Sequence, residues 1–317
     1  MKISGFWIGI VLVLAAGFVL AGVADNQFLF FAGYVVLQGL IMAVAWNVLG
    51  GFTGYVNFGS AGFFAIGAYT AIALHQFAEL PLLVLIVIAG IVCGLIGLGT
   101  GYLTLRLRGV YFAIATLAMA IVFESLITNW DYVGGSAGAY VITPAEVPFF
   151  DSFIEMMFIL MLVLSLICVA VSRYLSMSRM GRGLASIRDD ETAAECMGVP
   201  TLRLKLISTT VMGVMMGVAG APFPFFVTYI NPLSAFDLLI AVNAIAMPMI
   251  GGTAVWFGPV IGALLLGTIQ QIVTVTISSE LNILIVGVVL IGFVALAPRG
   301  IVGLFQDFAR KRRGGGK

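Results

Sequence analysis

The chain is 317 residues long, and 62% of them are hydrophobic but only 9% charged, against roughly 25% charged in an average soluble domain. The net charge is +1, and the basic residues sit at the ends of apolar runs without forming a face of their own, so a water-soluble domain and a nucleic-acid binder are both excluded. The runs lack the alternation of barrel strands, which leaves helices as the way to satisfy backbone polar groups in lipid.

In chain order, apolar runs long enough to cross a bilayer fall at residues 6–24, 28–49, 57–76, 82–105, 109–128, 153–175, 205–228, 234–250, 255–277 and 281–297. The predicted fold is all-α and polytopic, with about ten transmembrane helices. Gly22-Val23-Ala24 resembles a signal-peptide cleavage site, but the apolar core before it exceeds the roughly 7–15 residues of such a peptide, so the first run reads as a retained span. Cys93, Cys168 and Cys196 are widely spaced, and the first two lie inside apolar runs, which points to packing and away from disulfides or a metal cluster.

The 15 Lys and Arg fall into four groups: Lys2; Arg106 and Arg108; Arg173 to Lys205; and Arg299 to Lys317. Four, two and four spans separate them, all even, so every basic residue lies on one face. The positive-inside rule makes that face cytoplasmic, with both termini inside. The acids Asp25, Glu79, Asp131, Glu146, Asp151, Glu155, Asp237 and Glu280 fall on the other face by the same parity. Glu124 is the one acid within an expected span, about one turn from that outer face, which suits a solvated or capping role. His75, four residues from Glu79, reads as interfacial.

Two stretches interrupt the helical pattern. The first, 47–62, carries five glycines together with Asn47, Thr53, Asn57 and Ser60; the second, 243–262, carries Asn243, Pro248, Gly251, Gly252, Thr253, Gly258 and Pro259. Both contain Gly-Gly followed shortly by Phe-Gly, a weak hint of an internal repeat. Broken backbone at membrane depth is tolerated where it lines a wet path or is buried in protein. Glycines there also serve helix–helix packing or a plain loop. The polar residues Asn47, Thr53, Asn57, Ser60, Asn243 and Thr253 are candidates for a translocation path, and both readings stand.

Two connections are longer than turns. Residues 129–152 are turn-rich and external, while 176–204 hold most of the internal charge. Within the latter, Asp189 is the expected N-cap, Asp190 and Glu191 suit the positive end of a short helix, and Gly198 with Pro200 stops it. Ala193, Ala194 and Met197, with Leu184 and Ile187, are then apolar anchors for a partner's groove, rimmed by Arg182, Arg188 and Glu195; a merely solvated loop is the plain alternative. No phosphate-binding Gly-x-x-x-x-Gly-Lys-Ser/Thr loop and no H-E-x-x-H pattern occurs. Nor is there a chain of buried carboxylates and histidines, so any energy source belongs to a partner and the chain does not read as an enzyme.

Five separated stretches carry a resemblance: Gly-Tyr-Val-Asn-Phe-Gly-Ser-Ala-Gly-Phe-Phe-Ala-Ile-Gly-Ala-Tyr at 54–69, Leu-Arg-Leu-Arg-Gly-Val-Tyr-Phe-Ala-Ile-Ala-Thr-Leu-Ala at 105–118, Gly-Arg-Gly-Leu-Ala-Ser-Ile-Arg-Asp-Asp-Glu-Thr-Ala-Ala-Glu at 181–195, Gly-Pro-Val-Ile-Gly at 258–262 and Ala-Pro-Arg-Gly at 297–300. By these the chain resembles the branched-chain amino acid permeases of the Liv type, within the ABC importer permeases that also handle urea, amides and simple sugars. The resemblance implies a single permease domain over 1–317, with a cytoplasmic coupling segment within 176–204, an external loop at 129–152 and a basic tail at 306–317. It implies four kinds of contact: a second similar permease, two cytoplasmic ATPase subunits that bind the ATP, an external solute-binding protein and the bacterial inner membrane. Gly181, Arg182, Ile187, Asp190, Glu191, Ala194 and Gly198 fall in the matching coupling segment. One departure is Val133 before Gly134 and Gly135, where the family usually carries a Thr or similar polar residue. Outside this class, the alternatives are a self-sufficient channel or an ion-coupled carrier.

Overall fold

The computed structural model describes residues 3–23, 26–141, 150, 152–276, 300–304 and isolated positions between 284 and 292. The expected tenth span at 281–297 and the basic tail at 306–317 lie largely or wholly outside them. Among the described residues, the α-helices with described bounds run in order: α1 Ile3–Val23, α2 Gln27–Thr53, α3 Ser60–Ala78, α4 Leu82–Thr104, α5 Val110–Thr128, α6 Phe153–Met177, α7 Arg179–Asp189, α8 Glu191–Cys196, α9 Thr201–Gly220, α10 Phe223–Val227, α11 Pro232–Ala235, α12 Leu238–Gly251 and α13 Gly258–Thr276. Among the described residues, nine helical segments are long and apolar enough to cross a membrane, and they match the first nine expected spans to within a few residues. The largest shifts are α2, which runs on to Thr53, and α9, which starts at Thr201 and so takes Lys205 inside the helix.

The helices sort their faces by side-chain size more than by polarity, as expected where lipid is as apolar as the core. On α4, Gly90, Cys93, Gly94, Gly97 and Gly101 are buried while Leu83, Val87, Ile91 and Leu95 face outward. A Cβ added at Gly97 would lie 2.9 Å from the Thr209 carbonyl oxygen, and one at Gly213 would lie 2.6 Å from that of Cys93. The small residues thus let α4 and α9 approach backbone to backbone. Helix α2 is the central post, its second half buried throughout from Leu40 to Thr53 and packed against α6, α9, α12 and α13. Tyr34 stacks on Phe226 at 3.8 Å between ring centres.

The two ends of the bundle differ. At the end carrying residues 129–141, short 3-10 turns lead into Ala139–Tyr140, which pair antiparallel with Tyr229–Ile230. Tyr229 donates its hydroxyl to the Ala137 carbonyl at 2.9 Å, and Tyr132 donates to that of Ala73 at 3.3 Å. At the opposite end lie α7 and α8.

Candidate functional site: the α7–α8 connection and the interrupted helices

Ser178 opens α7: its hydroxyl accepts from the Gly181 amide at 3.2 Å. Gly181 is buried where α7 folds back on the end of α6, and a Cβ there would run into the carbonyls of Leu175 and Ser176. Leu184 and Ile187 form the buried stripe of α7, leaving Arg182 and Arg188 outside. That stripe keeps the helix going through Asp189, so the expected N-cap is displaced by one residue. Asp190, extended at φ −160 and ψ 110, is the actual cap of α8, its carboxylate accepting from the Ala193 amide at 3.0 Å. Capping requires a non-helical backbone, and Asp189 is still helical. Gly198 then takes the left-handed conformation at φ +81 that ends the segment, a geometry that suits glycine.

The expected apolar anchors divide between two surfaces. Leu184, Ile187 and Ala194 are buried against this chain's own core, whereas Ala193 and Met197 face out, Met197 being 84% exposed. The first three are not free to fill a partner's groove, because their helical spacing serves to seat α7 and α8 on the bundle. The exposed residues that remain include Arg182, Asp189, Asp190, Ala193 and Met197, together with Arg188 and Glu195 of the expected rim.

Glu191 carries the link to the membrane helices. Lys205 on α9 donates to its Oε1 at 2.6 Å, and Tyr55, in the first interrupted stretch, donates to its Oε2 at 2.5 Å. Lys205 also donates to the Tyr55 hydroxyl at 3.1 Å and the Leu105 carbonyl at 3.4 Å, and its ammonium lies 4.6 Å from the Tyr55 ring centre. Arg108 adds longer contacts at 3.8 Å to Glu191 and Glu195 from a solvent-exposed position, and such pairs contribute little. Burial pushes the Glu191 carboxyl up, but the hydrogen bonds from Lys205 and Tyr55 and the charges of Lys205 and Arg108 outweigh it and hold it below the ordinary carboxylate range. Nearby, Arg188 donates to the Gly51 carbonyl at 3.3 Å. This cluster went unseen in the sequence because Lys205 read as the last of a loop's cations; the available signal was a lysine one turn inside an apolar run.

The first stretch, 47–62, is a true break: α2 stops at Thr53, Gly54 is left-handed at φ +81, and α3 restarts at Ser60. Its four polar candidates fall into two pairs. Thr53 donates to the Leu49 carbonyl at 2.6 Å, and Asn57 accepts from the Gly59 amide at 2.6 Å through its side chain and from the Trp46 indole at 2.8 Å through its carbonyl. These two hold the turn. Asn47 and Ser60 are fully buried, and among the described residues neither the Asn47 amide nor the Ser60 hydroxyl has a hydrogen-bond partner.

The second stretch is mainly packing. Gly251, Gly258 and Gly262 press α12 and α13 together so closely that a Cβ at any of them would overlap backbone. Thr253 is half-buried, its carbonyl beside Gly51. Asn243 stands apart from the other five candidates in a cavity of about 210 Å³, where it accepts from Gln270 at 3.1 Å and is joined by Gln38, Gln271, Met42 and Met247. The six candidates therefore do not line one chamber. The glutamines, amides placed within apolar runs, were the legible and overlooked signal there.

The model of the family described as "Branched-chain amino acid transport system / permease component" matches residues 27–294. The high-affinity branched-chain amino acid transport system permease protein LivM of Escherichia coli is 27% identical over 88% of this chain and 71% of its own length. A probable branched-chain amino acid transport permease protein LivH of Methanocaldococcus jannaschii is 26% identical over 82% of this chain and 86% of its own. A solved ABC transporter of metal-chelate type in an inward-facing conformation aligns at 18% identity and a TM-score of 0.45, over 92% of this chain and 99% of that one, too slight a likeness to build on. The chain belongs to the family of branched-chain amino acid transport system permease components.

Proposed function

We propose that this chain is a membrane-spanning subunit of an ATP-driven importer for branched-chain amino acids or similarly small polar solutes. It works beside a second permease, two ATPase subunits that hold the ATP, and a solute-binding protein outside. It sits in a bacterial inner membrane with both termini and the α7–α8 connection in the cytoplasm, where the ATPases bear on the Arg182, Asp190, Ala193 and Met197 face.

The observation that carries this reading is the Tyr55–Glu191–Lys205 cluster. A push on α8 reaches the α2–α3 break and the start of α9 through charge-assisted hydrogen bonds, which are short and stiff relative to apolar contacts. Motion at the ATPase surface is thereby delivered to the segment that holds Asn47 and Ser60. The charged pair is largely desolvated, so removing either partner leaves an uncompensated charge, and the link resists slipping.

Reconstitution into liposomes tests the assignment. With ATPases, second permease and binding protein present, uptake of a branched-chain amino acid is expected to require ATP inside; equal uptake by the purified chain alone, without ATP, would contradict it and favour a channel.

A further inference from the structure

A second charged feature lies away from the coupling connection. Arg173, one turn before the end of α6, is 6% exposed. Its guanidinium lies 3.8 Å from the ring centre of Phe6 and 5.4 Å from that of Trp256. Among the described residues it makes no hydrogen bond or ion pair. It lines a cavity of about 330 Å³ with Phe6, Trp7, Tyr174 and Met177. Trp7 is 55%, Tyr174 75% and Met177 56% exposed, a lipid-facing rim.

A desolvated guanidinium without a counter-charge is costly in a membrane protein, and facing aromatic rings recover only about 0.5–2 kcal/mol of that. The rings occupy one side of the group; the cavity occupies another. The start of α1 and the end of α6 lie on one face of the bilayer, because six spans separate them, so Trp7 and Tyr174 stand at headgroup height, where such residues gather. An arginine fork in that setting matches the oxygens of a phosphodiester, and basic pockets between membrane helices take anionic headgroups.

We propose that Arg173 is the anchor of a binding site for an anionic phospholipid, its phosphate meeting the guanidinium and its acyl chains running down the α1–α6 groove past Trp7. The lipid phosphate supplies a counter-charge that none of the described residues supplies. It is independent of the transport assignment, since it rests on α1, α6 and Trp256 and uses no residue of the α7–α8 connection.

Native mass spectrometry of the full chain, released from micelles carrying phosphatidylglycerol or phosphatidylcholine, tests the proposal. The wild type is expected to retain one phosphatidylglycerol in preference to phosphatidylcholine. Arg173→Gln is expected to weaken that retention about tenfold, the loss of a charge-assisted contact, while Arg203→Gln, at an exposed position on α9, leaves it unchanged. Equal retention of the two lipids by the wild type, or equal retention of phosphatidylglycerol by wild type and Arg173→Gln, would overturn it, as would displacement of the lipid by equimolar inorganic phosphate. Where Arg173→Gln does not purify as a folded monomer, the wild-type comparison of the two lipids decides alone.

Discussion

The two interrupted stretches look alike in sequence, each with Gly-Gly followed by Phe-Gly, yet they are held in different ways. Residues 47–62 are wired to the α7–α8 connection by side chains, through Tyr55 to Glu191 and through the Gly51 carbonyl to Arg188. Residues 243–262 are closed by backbone on backbone, with Gly251, Gly258 and Gly262 meeting across α12 and α13. Hydrogen bonds have direction and pass on a displacement; close glycine contacts fix a distance and resist one. If the proposed coupling holds, the first break is expected to move and the second to act as the bearing against which it moves.

Substitutions can break that contrast. The largest effect is expected for Lys205→Ala, which strands the Glu191 carboxylate: stability measured by thermal unfolding is expected to fall by about 3–5 kcal/mol, the cost of removing one partner of a buried pair, and solute-stimulated ATP hydrolysis with it. Gly262→Ala drives a methyl into the Met247 carbonyl and is expected to cost about 1–3 kcal/mol as overpacking. If the second break is a bearing, the complex that does fold keeps its ratio of transport to hydrolysis. Tyr55→Phe removes one donor to Glu191 and is expected to cost about 1.5–3 kcal/mol at the upper limit for a hydrogen bond to a charged group, with that ratio falling.

Acidification sharpens the comparison with the smallest effect. Because the folded state holds the Glu191 carboxyl below its ordinary range, the folded chain takes up this proton less readily than the unfolded one. The cluster's stabilisation is therefore complete above a pH of about 4.3, the usual glutamate value, and is lost as the pH falls through the lower folded value. The difference in unfolding temperature between wild type and Glu191→Gln is expected to shrink on that descent, while Gly262→Ala shows no such dependence.

What the sequence made legible follows the same division. Spans were readable because bilayer thickness sets run length, and nine of them recur in the structure within a few residues. The seat of α7 and α8 was less so: Leu184, Ile187 and Ala194 have the spacing of a partner-facing stripe, and nothing in a single sequence says that the partner is this chain's own core. Asp189 and Asp190 are equally good capping residues by type, and only the length of the Leu184–Ile187 stripe decided between them. The Glu191–Lys205 pair, fourteen positions apart across the Gly198 turn, is a tertiary fact. Asn47, Ser60, Thr53 and Asn57 are alike by residue type, and what distinguishes the first two is that among the described residues their side chains have no hydrogen-bond partner.

Exchange of the two charges tests the central claim most directly. In the reconstituted complex, Glu191→Lys and Lys205→Glu are each expected to abolish solute-stimulated ATP hydrolysis, because each places like charges side by side. The double variant, which restores an opposite pair beside Tyr55, is expected to recover a substantial part of it. Single variants that hydrolyse and transport normally, or a double variant no better than the worse single one, would contradict a transmission route through this pair.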